Sequence, residues 1–147
     1  MAIFYSQSIA GLDWGELAAL YQAAALGNKS AESLETAFTN SRYHCLALED
    51  GRLVGVGRVL ADGADCAYLC DVAVLPGHQG RGIGREIVAR LVALSRGHRK
   101  VILYAAPGKE DFYRRFGFRA MRTAMAIFAD QEQALAHGYL LDDPEPE

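Results

Sequence analysis

The chain contains 147 residues, of which 51% are hydrophobic, and this length allows one domain with a substantial core. A formal net charge of −3 gives no reason to expect a nucleic-acid partner or an anionic membrane. Three cysteines, without Cys-x-x-Cys or histidine ligand spacing, argue against a disulfide framework and against a metal site.

The first 40 residues predict one strand and two helices. A short strand is expected at Ile3–Ser6. A helix is predicted over Asp13–Ala25, because an acidic residue three positions after Asp13 gives the spacing of a capping box. A second helix is predicted over Ser30–Phe38, with the serine hydroxyl as its N-cap.

Three strands are predicted next, at Tyr43–Glu49, Arg52–Leu60 and Cys66–Val74. The dipeptide Asp50-Gly51 is a strong signal for a two-residue hairpin between the first two. Asp62-Gly63 predicts the turn into the third strand.

The most informative stretch reads Asp71-Val-Ala-Val-Leu-Pro-Gly-His-Gln-Gly-Arg-Gly-Ile-Gly84. The strand pattern breaks at Pro76, alternating glycines follow, and an amphipathic helix opens directly after them and ends at Gly97. Bare N–H groups at a positive helix terminus suit a phosphate or pyrophosphate. Neither the P-loop spacing nor the dinucleotide-binding spacing is present, which disfavours an ordinary nucleotide site.

The last third predicts a short apolar strand at Val101–Tyr104 and then a helix carrying the aromatic set Phe112, Tyr113 and Phe116. A final strand pair is expected at Phe118–Arg122 and Ala124–Phe128. We therefore expect a single domain over residues 1–141, with residues 142–147 as a disordered tail.

Two segments carry a family resemblance. Gln79-Gly-Arg-Gly-Ile-Gly84 resembles the Gln/Arg-x-x-Gly-x-Gly/Ala loop of the GNAT superfamily of N-acetyltransferases, which holds the pyrophosphate of acetyl-CoA. Phe112-Tyr-Arg-Arg-Phe-Gly-Phe118 resembles that superfamily's Phe-Tyr-x-x-x-Gly-Phe segment, whose tyrosine lies beside the coenzyme's sulfur. Either segment alone is compatible with a ligand-free glycine connection or with core aromatics. Their order and spacing together favour an acyltransferase.

The resemblance implies the GNAT acyl-CoA N-acyltransferase fold, an α/β (mixed α+β) architecture with a mostly antiparallel central sheet flanked by helices. It implies that the amide of Val72 or Val74 donates to the thioester oxygen and that Tyr113 is the general acid for the departing thiolate. The positions that it implies for coenzyme binding are Val72, Ala73, Val74, Gln79, Gly80, Arg81, Gly82, Ile83, Gly84, Arg85, Phe112, Tyr113 and Phe116.

The general base is less defined. Asp71 lies on the motif strand and is the catalytic candidate, with Glu110 and Asp111 as alternatives and Tyr68 as a relay. Strand alternation directs the Asp71 side chain away from the face of Tyr68 unless a bulge re-aims it. A structural, hydrogen-bonded carboxylate is therefore the stronger interpretation of Asp71.

These features predict an acetyl-CoA-dependent N-acetyltransferase that acts in a ternary complex on a primary amine, most simply that of a small molecule. A protein or peptide amine and a non-catalytic acyl-CoA-binding module are the alternatives. We expect no metal, nucleic-acid or membrane partner. The first residues lack the pattern of a signal peptide, so a cytoplasmic protein is expected. Dimers occur in the family, and a homodimer stays open.

Overall fold

A computed structural model describes residues 2–142. The chain divides after Leu103 into two compact units, the first holding a sheet and three helices, the second two short helices. The single domain predicted for residues 1–141 stays a prediction. The tail predicted for residues 142–147 lies outside the described residues from position 143 onward.

The first unit contains a five-stranded sheet in the order β1-β2-β3-β4-β5. Neighbouring strands are antiparallel except β4 and β5, which are parallel, so the predicted mixed and mostly antiparallel sheet is confirmed. Asp50 and Gly51 both have positive φ, as the predicted two-residue hairpin requires. The strands are β1 (Phe4–Ser6), β2 (Tyr43–Glu49), β3 (Arg52–Ala61), β4 (Cys66–Val74) and β5 (Lys100–Ile102).

Three helices accompany this sheet: α1 (Trp14–Ala23), α2 (Ala31–Thr39) and α3 (Ile83–Leu94). The first two predicted caps are confirmed. The Asp13 carboxylate accepts the amide of Gly15 at 2.9 Å, and the Ser30 hydroxyl accepts that of Ser33 at 3.1 Å.

The helices cover both faces of the sheet. On one face α1 and α2 bury an apolar cluster that includes Tyr21, Phe38 and Val56. On the other face α3 lies close to β3, where a Cβ on Gly57 would come within 2.8 Å of Leu91 Cδ1. The absence of a side chain at Gly57 therefore lets α3 approach the sheet. This contact holds α3 against β3. The N-terminus of α3 directly follows the loop after β4.

The second unit contains α4 (Glu110–Arg114) and α5 (Gln131–Ala136). The strands predicted at Phe118–Arg122 and Ala124–Phe128 are wrong, because residues 117–130 form neither helix nor strand. A strand forms only where a partner ladder exists, and none is present for these residues in the described chain. The α5 helix was not predicted. Its N-cap is Asp130, whose carboxylate accepts the Gln133 amide at 2.9 Å.

No helix between residues 2 and 142 combines the length and the hydropathy needed to cross a bilayer.

Candidate active site

Strand β4, which lies between β3 and β5, is interrupted by a bulge at Asp71. The pairing between β3 and β4 shifts between Arg58↔Cys70 and Val56↔Ala73, so two residues of β4 lie opposite one of β3. Asp71 has φ of +58°, a conformation that aspartate adopts more readily than most residues. The bulge changes which backbone groups face each side of β4 from this point onward.

Beyond the bulge, β4 has an open edge. The Leu75 amide donates to the Val54 carbonyl at 2.9 Å, so Ala73, two residues earlier, also faces β3. The main-chain groups of Val72 and Val74 therefore face the opposite side. On that side β5 pairs only with Cys66–Tyr68, and no other strand of residues 2–142 follows it. Within residues 2–142 the amides of Val72 and Val74 therefore have no strand partner, while the Val74 carbonyl accepts a hydrogen bond from the Gln79 side chain. The contact of this edge with a coenzyme stays a prediction.

The loop after β4 leads into α3 through two left-handed glycines. A short 3-10 turn at Pro76–His78 is followed by Gly80 and Gly82, each with φ of +80°. Gly82 is the N-cap of α3 and has no side chain to satisfy the first amides. Only glycine adopts this conformation without strain, and its bare backbone lets a ligand approach closely.

The first amides of α3 point out of the helix end. The Glu86 amide donates to the Gly82 carbonyl at 3.1 Å and starts the helical pattern, so the amides of the three preceding residues remain available. The Ile83 side chain is buried, so this residue has only its amide to offer a ligand. The Arg85 side chain is exposed at the same helix end. Such an arrangement suits an anion.

A carboxylate from the end of β2 holds this loop, and the sequence did not predict it. Glu49 accepts a hydrogen bond from Arg81 at 2.8 Å and lies 3.0 Å from Nε2 of His78. These bonds, with Arg81 first, lower the pKa of Glu49. On the strand side, the side-chain amide Nε2 of Gln79 donates to the Val74 carbonyl at 3.1 Å. The predicted coenzyme residues Gln79 and Arg81 therefore also fix the loop itself.

Replacing Glu49 by glutamine should weaken coenzyme binding about two- to fivefold, the effect of losing a partly exposed ion pair. The pKa of Glu49 is lower in the folded protein than in the unfolded chain. Its contribution to the free energy of unfolding is therefore complete above the unfolded pKa near 4.3, and it is lost as the pH falls through the folded pKa. Calorimetric titration with CoA and thermal unfolding across acid pH measure both effects. Glu86→Gln breaks the exposed Glu86–Arg90 pair and is the control. Identical behaviour of the two variants would contradict the role given to Glu49.

Asp71 is held on both its side chain and its main chain. Its carboxylate accepts two hydrogen bonds from Arg58, at 2.8 and 2.9 Å, and Arg58 also donates to the Ser41 hydroxyl at 3.1 Å. The buried Tyr21 donates its hydroxyl proton to the Asp71 carbonyl at 2.6 Å. These contacts favour the structural interpretation of Asp71, and its role as a base stays a prediction.

Asp71→Asn should lower the free energy of unfolding by ~1–3 kcal/mol, because it leaves the largely buried Arg58 without its anionic partner. If Asp71 is structural, kcat should fall less than about tenfold. Thermal unfolding and steady-state kinetics of the same preparation separate the two roles. Asp65→Asn, which breaks the exposed Lys100–Asp65 pair, is the matched control. A loss of ~100-fold or more in kcat, with folding intact, would identify Asp71 as the base.

In the second unit, α4 carries the predicted aromatic set. The ring centroids of Phe112 and Tyr113 are 5.0 Å apart, those of Phe112 and Phe116 are 5.5 Å apart, and Phe118 lies 6.2 Å from Tyr113. Tyr113 is half-buried, and burial raises the pKa of its phenol. The phenol is therefore protonated at neutral pH, as a general acid must be.

The other two base candidates have local partners. The Glu110 carboxylate accepts a hydrogen bond from the Gly108 amide at 3.2 Å, and Asp111 forms an ion pair with Arg114 one helical turn away.

Among residues 2–142, no group of three histidine, cysteine or carboxylate side chains is arranged to hold a metal ion. Burial raises the pKa values of Cys45 and Cys70 to about 11, so both thiols are protonated at neutral pH.

The predicted positions thus fall into two sets. Residues 71–74 and 79–85 belong to the first unit, where the open edge of β4 leads through the glycine loop into the amides of α3. Phe112, Tyr113 and Phe116 form one aromatic cluster in the second unit.

A family model described as the acetyltransferase (GNAT) family matches residues 12–118. The chain is 35% identical over 138 residues to the chloroplastic serotonin N-acetyltransferase 2 of Oryza sativa subsp. japonica, covering 86% of this chain and 68% of that protein. A Glycine max protein named a histone acetyltransferase is 31% identical over 102 residues, covering 63% of this chain and 44% of the relative. A crystal structure of a putative GNAT acetyltransferase from Xanthomonas campestris superposes with a TM-score of 0.74 at 26% identity, covering 86% of this chain and 94% of that one.

Proposed function

The chain belongs to the GNAT family of acetyltransferases, and on this basis we propose that it transfers the acetyl group of acetyl-CoA to a primary amine, most simply that of a small molecule. The observation that carries the proposal is the open edge of β4, continued by a glycine loop into uncapped amides at the start of α3.

The first residues of α3 suit the coenzyme's pyrophosphate. The free amides of Ile83, Gly84 and Arg85 and the positive end of the helix dipole both favour a doubly charged anion. Gly80 and Gly82 leave the approach unobstructed, since a Cβ built on either would meet nothing within 4 Å. Arg85, exposed at the same helix end, adds a positive charge that suits the phosphates.

The outward-facing groups of β4 suit the coenzyme's amide arm and its thioester. An amide N–H from Val72 or Val74 would donate to the thioester oxygen, where negative charge develops as the amine attacks. Tyr113 would give its phenolic proton to the sulfur as the carbon–sulfur bond breaks. The amine loses its proton to a base or to water. These roles need no metal ion.

The acceptor must lose a proton before it attacks. An alkylamine with a pKa near 10.4 is neutral in only about one molecule in 10³ at pH 7, so the rate should rise with pH through the neutral range. The name of the rice relative supports a small arylalkylamine, and the name of the soybean relative supports a protein amine. We favour the small amine because the rice alignment covers more of this chain.

A thermal-shift comparison of acetyl-CoA, CoA, ATP and NAD tests the binding proposal. A ligand at 100 times its dissociation constant adds about 2.7 kcal/mol of stability, enough to move the midpoint by several degrees. We expect a shift with the two CoA species alone. Stabilisation by ATP or NAD, without CoA, would contradict the proposal.

Release of free thiol on addition of an amine then tests turnover and acceptor class. The panel should contain arylalkylamines, polyamines and a lysine-containing peptide, each against a control without acceptor. Faster thiol release with small amines supports the proposal. Release with the peptide alone would assign a protein acceptor, and CoA binding without release would assign a non-catalytic module.

A further inference from the structure

Lys29 lies in the connection between α1 and α2, and its ammonium group reaches the bulge of β4. Its Nζ is 3.9 Å from Oδ1 of Asp71 and 5.7 Å from the centre of the Tyr21 ring. Within residues 2–142 this nitrogen makes no hydrogen bond, although the side chain is only 33% exposed. A partly buried ammonium group has three N–H donors that need acceptors. Lys29 therefore offers these donors to a ligand.

Asp71 does not neutralise Lys29, because its carboxylate is already paired with Arg58. Nε and Nη2 of Arg58 contact the other oxygen, Oδ2, at 2.9 and 2.8 Å. Arg58 is itself largely buried, with 14% of its side chain exposed. Two cations thus share one carboxylate in a partly buried place, where salt screens charges only weakly.

The neighbouring titratable groups add no negative charge. Cys70 lies opposite Arg58 in the register of β3 and β4, on the same face of the sheet. Burial raises the pKa of its thiol to about 11, and burial, with the Asp71 charge second, raises the pKa of the Tyr21 phenol. Both groups are neutral at pH 7. In the described chain, the charges that act on this thiol are those of Arg58, Asp71 and Lys29, which give the cluster a net charge of +1.

This positive charge lies beside the place where acetyl transfer is proposed. Val72 directly follows Asp71, and consecutive Cα atoms are about 3.8 Å apart. The Val72 amide has no strand partner among residues 2–142 and is one of the two proposed donors to the thioester oxygen. An amine that attacks this thioester therefore comes within reach of Lys29. An anionic group on the amine would take the free donors of Lys29, whereas a second ammonium group would be repelled.

We propose that Lys29 determines the acceptor specificity, and that the acceptor is a small amine bearing an anionic group, a carboxylate or a phosphate, which binds the Lys29 ammonium. This inference rests on the proposed acetyl transfer. The chemical step is unchanged: the carbon–sulfur bond breaks, the carbon–nitrogen bond forms, and the proton lost by the amine is balanced by one gained by the thiolate. The anionic group orients the amine and takes no part in bond making. An arylalkylamine is then a better acceptor with a carboxylate than without one.

A set of short amines of similar length tests this specificity. Propylamine, β-alanine, aminopropyl phosphate and diaminopropane differ in the charge of the second group, and thiol release gives kcat/KM for each. We expect the better of the two anionic acceptors to exceed propylamine by ~10-fold or more, and diaminopropane to be the poorest. Comparison of β-alanine with aminopropyl phosphate identifies which kind of anion the site prefers.

Variants of Lys29 assign the preference to this side chain. The ratio of kcat/KM for the anionic acceptor to that for propylamine should fall to about one in Lys29→Met and should be retained in Lys29→Arg. Lys29→Glu should reverse the preference in favour of diaminopropane. A merely structural role of Lys29 would lower the rates of all four acceptors together and leave the ratio unchanged. Lys100→Met, which breaks the exposed Lys100–Asp65 pair, is the control and should keep the wild-type ratio.

The thermal shift caused by CoA checks that each variant is folded before its rates are compared. Equal kcat/KM for anionic and neutral amines in the wild-type chain would overturn the inference and leave acetyl transfer standing. So would a preference for the anionic acceptor that survives Lys29→Met. Absence of thiol release with every acceptor, arylalkylamines and the lysine-containing peptide included, would contradict acetyl transfer itself and this inference with it.

Discussion

Tyr113→Phe should lower kcat by about 10²-fold or more while leaving the dissociation constant of CoA within about twofold of the parent. The substitution removes one hydroxyl and keeps the ring that contacts Phe112 and Phe118, so the aromatic cluster of α4 stays intact. Burial raises the pKa of Tyr113 and keeps the proton in place up to alkaline pH. The wild-type rate should therefore fall only at a pH above the ordinary titration range of a tyrosine phenol.

Stopped assays of thiol release across pH, together with CoA titration, measure this prediction. Tyr139→Phe, which removes a hydroxyl from another partly buried ring of the second unit, is the control and should retain activity. An unchanged kcat in Tyr113→Phe would remove Tyr113 from the chemistry, without affecting the assignment of the coenzyme loop.

Gly82→Val should weaken CoA binding between ~10- and ~100-fold. A β-branched residue at φ of +80° carries ~1–3 kcal/mol of backbone strain. The loop can relieve this strain only by turning its amides away from the helix axis, which weakens their contact with the anion. The valine side chain would also occupy the space through which the anion reaches the amides. We expect a lower thermal midpoint and loss of the CoA-induced shift.

Gly77→Val is the matched control for this change. Gly77 lies in the same loop, its φ is not positive, and a Cβ built on it meets no atom within 4 Å. It should bind CoA as the parent does. Equal binding by the Gly82 and Gly77 variants would show that the left-handed turn does not position the pyrophosphate.

Local signals were sufficient for much of the first unit. The bounds of β4, Cys66–Val74, were predicted without error because a turn and a proline limit the apolar run on both sides. The helix starts at Asp13 and Ser30 followed from side chains that cap their own helices. Each of these features depends on residues within a few positions of one another.

The features that the sequence did not give depend on distant partners. Glu49 reaches the glycine loop across 29 and 32 positions, and no local pattern pairs a strand-end carboxylate with His78 and Arg81. The bulge at Asp71 is stabilised by Arg58 and Tyr21, which lie on another strand and on a helix.

The error in the second unit is of the other kind, because elements were predicted there that the structure does not contain. A strand pair was predicted at Phe118–Arg122 and Ala124–Phe128, but a strand is completed by its neighbour, and this chain supplies none in the described residues. For α5 a signal was present, because Asp130 and Gln133 have capping-box spacing.

The most direct test of the account is a crystal structure of the chain with bound acetyl-CoA. We expect the pyrophosphate on the backbone amides between Gln79 and Gly84, the amide arm along the open edge of Val72 and Val74, and the Tyr113 hydroxyl within hydrogen-bonding distance of the sulfur. A pyrophosphate bound at another surface, or a Tyr113 hydroxyl remote from the sulfur, would contradict it.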